Sequence, residues 1–155
     1  MSKSYISVKI RKLVEDRAKG YCEYCLSPSN FSSSSFAIDH IEPESLGGAT
    51  KLNNLAWSCD GCNGHKHTKT QYFDPISQKK VKLYHPRKDN WYEHFSWNNE
   101  ETIIIGRTPT GRATVHLLDM NREGTVNLRL LLIMAGLHPP KDFPINFRTF
   151  NLRIG

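Results

Sequence analysis

Apolar positions near the start of the chain recur at helical spacing. Val8, Leu13, Val14 and Ala18 form a rough face, Ser7 stands where an N-cap belongs, and Gly20 stands where a helix stops. Residues 27–35 break the pattern; they are rich in serine and read as a loop. Phe36 to Ile41 reads as a short strand, Glu42 to Asn54 as a loop broken by Pro43 and Gly47-Gly48, and Leu55 to Ser58 as a second short strand. A helix is predicted from about Asp60 to Thr70. The order is strand, loop, strand, helix.

Beyond this unit, Asp74-Pro75 opens a turn region rich in lysine. Trp91, Phe95 and Trp97 form an aromatic patch, in which Trp91 and Trp97 read as core and not as base-stacking platforms. Residues 102–107 and 112–118 are predicted to form a hairpin around Thr108-Pro109-Thr110-Gly111, which has Pro and Gly where a type I turn wants them. A last helix is predicted from about Arg122 to Ala135, with Val126, Leu130, Met134 and Leu137 at helical spacing, Asn121 as its cap and Gly136 as its stop. From Pro139 the chain reads as extended or loosely attached.

The cysteines change this picture most. There are four, in two C-x2-C pairs, Cys22/Cys25 and Cys59/Cys62. Two such pairs complete a tetrahedral all-thiolate zinc site, whereas a redox site needs only one. Four thiolates close the coordination shell, so this ion holds the fold and leaves no place for a reacting water.

Charge adds a partner class. The 155 residues carry 21 Lys and Arg against 15 Asp and Glu, a formal net charge of +6. Residues 1–20 have six basic and two acidic side chains (net +4), and residues 21–63 have one basic and five acidic (net −4). Residues 64–88 have seven basic and one acidic (net +6), and the remainder has seven of each. Two basic segments therefore bracket an acidic one, a pattern that favours a polyanion, nucleic acid above all. The longest apolar run, Leu130 to Ala135, is far short of the roughly 20 residues that span a bilayer. The start of the chain has no secretory apolar core, so a cytoplasmic location is the expectation.

The chemistry gathers around the cysteines. Asp39-His40 lies on the first strand, Asn53-Asn54-Leu55 opens the second, and Asn63 and Lys66 follow the last cysteine. Hydrolysing a phosphodiester needs a base for the attacking water and a cation for the charge building on phosphate. An imidazole titrates near neutrality, at about 6.5, and suits the first task. Asp39, the neighbour of His40, points to the opposite side of a regular strand, so the two share a site only where the strand end is distorted or wrapped.

These residues, in this order inside a two-knuckle frame, resemble the HNH endonucleases over about residues 22–70, under a third of the chain. The resemblance implies an α+β fold with a ββα-metal (His-Me finger) core stapled by a four-cysteine zinc site. The first helix and a C-terminal hairpin-plus-helix extension would be additions, giving a nuclease core over 1–88 and an extension packed on it over 89–155.

The resemblance also implies roles. His40 would be the general base, Asp39 and Asn63 the ligands of one catalytic Mg²⁺ (or Mn²⁺), and Asn54 the tie that orients the base. Lys66, Lys69 and His67 are candidate nucleic-acid contacts, His67 because it lies four residues beyond Asn63 on a helix. The expected activity is a metal-dependent DNA endonuclease leaving 5′-phosphate and 3′-hydroxyl ends. The alternative is a catalytically inactive, zinc-stabilised nucleic-acid-binding module. The substrate is expected to be double-stranded DNA; monomer and homodimer are both left open.

Overall fold

A computed structural model describes residues 4–144. Helix α1 spans Val8–Arg17, and the Ser7 side chain accepts from the Ile10 amide as predicted. Its inward side is Val14, with Ala18 just beyond its end; Val8 and Leu13 are exposed. Strand β1 (Ala37–His40) pairs antiparallel with β2 (Leu55–Ser58), setting Asp39 opposite Ala56 and His40 opposite Leu55. Helix α2 (Asp60–Lys66) follows at once, so the strand–loop–strand–helix order stands.

The remainder is made of small pieces. Strands β3 (Gln71–Phe73) and β4 (Lys80–Lys82) form one two-stranded ribbon, and β5 (Phe95–Trp97) and β6 (Ile104–Gly106) form another. Helices α3 (Trp91–His94), α4 (Pro109–Leu118) and α5 (Glu123–Met134) complete the chain. The sheets total three, each of two strands, among the described residues.

The expected hairpin over 102–118 is corrected. Ile104–Gly106 pairs backward with β5, and 109–118 is helical. Thr108 caps that helix through the Gly111 amide, and Pro109 occupies its first turn, where a missing N–H costs nothing. The expected Asn121 cap is also corrected: Asn121 accepts from the Ile104 amide and donates to the Ile104 carbonyl, clamping β6.

One core joins both halves. Val14, Cys22, Tyr24 and Leu55 share a buried cluster with Trp91, Phe95, Ile104 and Leu118. Trp91 donates from Nε1 to the Tyr24 carbonyl at 2.9 Å, which locks the aromatic patch onto the first knuckle. Of the segment expected to hang loosely from Pro139, residues 145–155 lie outside the described residues. Just before them, Phe143 stacks on Tyr21 at 5.7 Å and Lys19 donates to the Asp142 carbonyl. Among the described residues no helix is long and apolar enough to cross a membrane.

Candidate active site and zinc centre

The four cysteine sulfurs are buried and lie within 4.8 Å of one another. Cys25 Sγ and Cys59 Sγ are 3.7 Å apart. A tetrahedron with zinc–sulfur bonds of about 2.3 Å has edges of roughly 3.8 Å, so the donor set fits a zinc ion. Tight turns present the thiols. Cys22 takes the Ser27 carbonyl through its amide and accepts from the Leu26 amide, with Leu26 at a φ of 63°. Cys59 caps α2 by accepting from the Cys62 amide at 3.4 Å.

Arg122, which no sequence signal marked, lies over this centre. Its guanidinium donates to Cys59 Sγ at 3.2 Å and to Cys62 Sγ at 3.9 Å. Gly61 makes room for it, because a Cβ there would come within 2.4 Å of Arg122 Cζ. Four thiolates around one divalent ion leave two excess negative charges, and a guanidinium on two of the sulfurs offsets part of that.

The loop from His40 to Leu55 is tied by Asn54. Its Oδ1 accepts from the Glu42 amide, and its Nδ2 donates to the Glu42 and Ala49 carbonyls, each at 2.9 Å. Gly48 sits against this knot, where a Cβ would come within 1.8 Å of the Glu42 carbonyl oxygen. Only glycine permits that approach.

His40 is part-buried, and its ring is held from within the same loop. Nε2 lies 2.9 Å from Thr50 Oγ1, which donates to Glu44 Oε1 at 3.2 Å. Hydrogen bonding from Ser4 draws the Glu44 carboxyl below its ordinary pKa, so at neutral pH it is a carboxylate and accepts only. The Thr50 proton is therefore committed to Glu44, and the Thr50 oxygen accepts from His40 Nε2–H. That fixes the tautomer and leaves the lone pair on Nδ1. Neither Thr50 nor Glu44 was marked by the sequence; a hydroxyl ten residues along a loop carries no spacing signal.

Asp39 lies on the other side of the strand, as alternation requires, and is only 4% exposed. Tyr24 donates its hydroxyl to Asp39 Oδ2 at 2.6 Å, and Lys66 Nζ donates to Oδ1 at 3.1 Å. The same ammonium reaches the His40 and Ile41 carbonyls at 3.3 and 3.1 Å. Burial pushes the Asp39 carboxyl up, and Lys66 and Tyr24 pull it only part of the way back.

Three placements differ from expectation. Lys66, expected at a phosphate, is 1% exposed and held inside by Asp39, so Lys69 is the exposed lysine of the two. Helix α2 ends at Lys66, and His67 departs from helical geometry at φ 50°, ψ −120°, so the helical spacing that grouped it with Asn63 does not apply. Asn63 is half-buried on α2, and among the described residues its side-chain amide has no hydrogen-bond partner. Asp39 and Asn63 offer the oxygen donors that Mg²⁺ prefers. The arrangement nevertheless does not fit the ion, because Lys66 already fills the cation's place on Asp39.

Residues 22–69 match the family model of the HNH endonucleases. That stretch, under a third of the chain, contains both knuckles, β1, β2 and α2, and the family it resembles acts on nucleic acid. A comparison with curated proteins finds no match.

Proposed function

We propose that this protein is an endonuclease that hydrolyses phosphodiester bonds in DNA, with His40 as general base. The observation that carries the reading is the His40–Thr50–Glu44 chain. It engages Nε2 and leaves Nδ1 to accept a proton, beside a zinc-stapled helix. In the proposed reaction a water attacks phosphorus and gives its proton to Nδ1. The bond from phosphorus to the 3′ oxygen breaks and that oxygen takes a proton from solvent water, leaving a 5′-phosphate and a 3′-hydroxyl. Asn54 keeps the loop that carries Thr50 in place, and Lys69 contacts the phosphate backbone, with His67 as a second candidate.

The Mg²⁺ expected on Asp39 and Asn63 does not fit while Lys66 holds the carboxylate, and no step above runs through the ion. The Lys66–Asp39 pair is also the observation that favours a second reading, a nucleic-acid-binding module without activity. Incubation with supercoiled, linear, branched and single-stranded DNA, in Mg²⁺, in Mn²⁺ and without added metal, separates the two. Cutting of any substrate, lost in His40→Ala, supports the nuclease; binding across the panel without cutting supports the module.

A further inference from the structure

The ribbon of β3 and β4 has two faces of different character. Tyr72 and Val81 are paired and turn inward, where Tyr72 stacks on His116 of α4 at 5.8 Å. The outward face carries Phe73 opposite Lys80 and Gln71 opposite Lys82. Phe73 is 53% exposed, and Ile76 at the tip is 73% exposed.

The tip is built to stay in shape. Asp74, wholly buried, accepts from the Ile76 and Ser77 amides and takes a two-pronged bond from Arg112 of α4 at 2.8 and 2.9 Å. The Gln78 amide closes the turn onto the Asp74 carbonyl at 2.8 Å. Asp74 is also the only acid between residues 69 and 82, and Arg112 consumes its charge. The exposed surface therefore has lysines at 69, 79, 80 and 82, no carboxylate, and two large apolar side chains. At the ribbon's root, Thr70, Gln71 and Lys82 share a cleft of about 490 Å³ with Ile41 and Glu42, the residues that follow His40.

We infer that this ribbon is a duplex-DNA docking element whose lysines bind the backbone while Ile76, backed by Phe73, wedges between base pairs. An acid-free lysine face complements a polyanion, a two-stranded ribbon fits a groove, and an apolar residue on a rigid tip is what unstacks a base step. The inference rests on the nuclease reading and deepens it by assigning it duplex DNA that is locally opened beside the cleft lined by Ile41 and Glu42.

The test uses the full chain and short duplexes, each carrying one 2-aminopurine, without added divalent ion and with the duplex checked intact by gel. The wild-type protein should raise 2-aminopurine fluorescence at one or more positions. Ile76→Ser should abolish most of that rise while changing affinity by less than about threefold, and Phe73→Ser should reduce the rise. Met134→Ser, an equally exposed apolar site on α5, should leave it unchanged. Lys79→Gln, Lys80→Gln and Lys82→Gln together should weaken binding at least tenfold and lower the slope of log affinity against log salt by about 3. Duplex binding without a fluorescence rise, a rise that survives Ile76→Ser, or no duplex binding at all overturns the inference. Ribbon-dependent unstacking by a protein that never cuts would leave the ribbon standing and reject the nuclease; cutting indifferent to the ribbon variants would do the reverse.

Discussion

A histidine acts as a base only through the ring nitrogen that carries the lone pair, and in His40 Thr50 decides which one that is. Thr50→Val removes the acceptor for Nε2–H, frees the ring to turn, and should cut the cleavage rate about 10- to 100-fold at unchanged zinc content. Thr50→Ser keeps the hydroxyl and should recover most of the rate. Asp39 and Lys66 make a second residue-scale claim. They form a buried ion pair, 3.1 Å apart, and removing one partner strands the other's charge. Lys66→Met should cost about 3–5 kcal/mol in urea unfolding, and adding Asp39→Asn should return much of it. In Lys66→Met, Mg²⁺ should raise the unfolding midpoint if Asp39 and Asn63 hold the ion once the ammonium is gone.

At the scale of elements, what the sequence showed was what short-range spacing encodes. Two C-x2-C pairs, an Asp-His strand and a strand running straight into a helix are local patterns, and each lies where expected. The hairpin over 102–118 failed because Thr-Pro-Thr-Gly serves a type I turn and a capped helix start equally well. Gly111 settled it from a distance: a Cβ there would come within 2.1 Å of the His94 carbonyl oxygen. Arg122 on the cysteine sulfurs and Asn121 on Ile104 are likewise contacts between segments far apart in the chain, and no window of sequence contains both ends. The β3–β4 ribbon escaped notice because each strand has three residues and its pattern is polar. Its anchor gives a pH test. Arg112 holds the Asp74 carboxyl well below the ordinary carboxylate range, so its stabilisation is complete above about pH 4 and is lost as pH falls below that. Asp74→Asn should therefore be less stable than wild type at pH 7, with the gap between their urea midpoints narrowing at pH 3.

For the whole molecule, folding reassigns the charge. Of the basic excess in residues 64–88, Lys66 is spent on Asp39 and Arg87 on Glu23, both inside the protein. Arg122 is spent on the cysteine sulfurs. Arg129 is buried at 2% exposure, donating to the Thr102 and Met120 carbonyls and the Asn121 side chain. What remains of residues 64–88 for a polyanion is the exposed lysines of the ribbon and its flanks, with Lys9 and Arg11 of α1 exposed as well. Arg129→Met should thus lower the unfolding midpoint while leaving the salt dependence of DNA binding unchanged, as read by anisotropy over a salt series. The continuous core gives the same picture: the half of the chain with no net charge supports the other half through Trp91, Phe95 and Ile104.

The central claim is that His40 removes the proton from the attacking water. Nicking of supercoiled plasmid in Mg²⁺, by wild-type and His40→Ala proteins matched for zinc content and unfolding midpoint, tests it most directly. The account predicts nicking by the wild type and a loss of about 100-fold or more in the variant. Nicking by His40→Ala at the wild-type rate would contradict it.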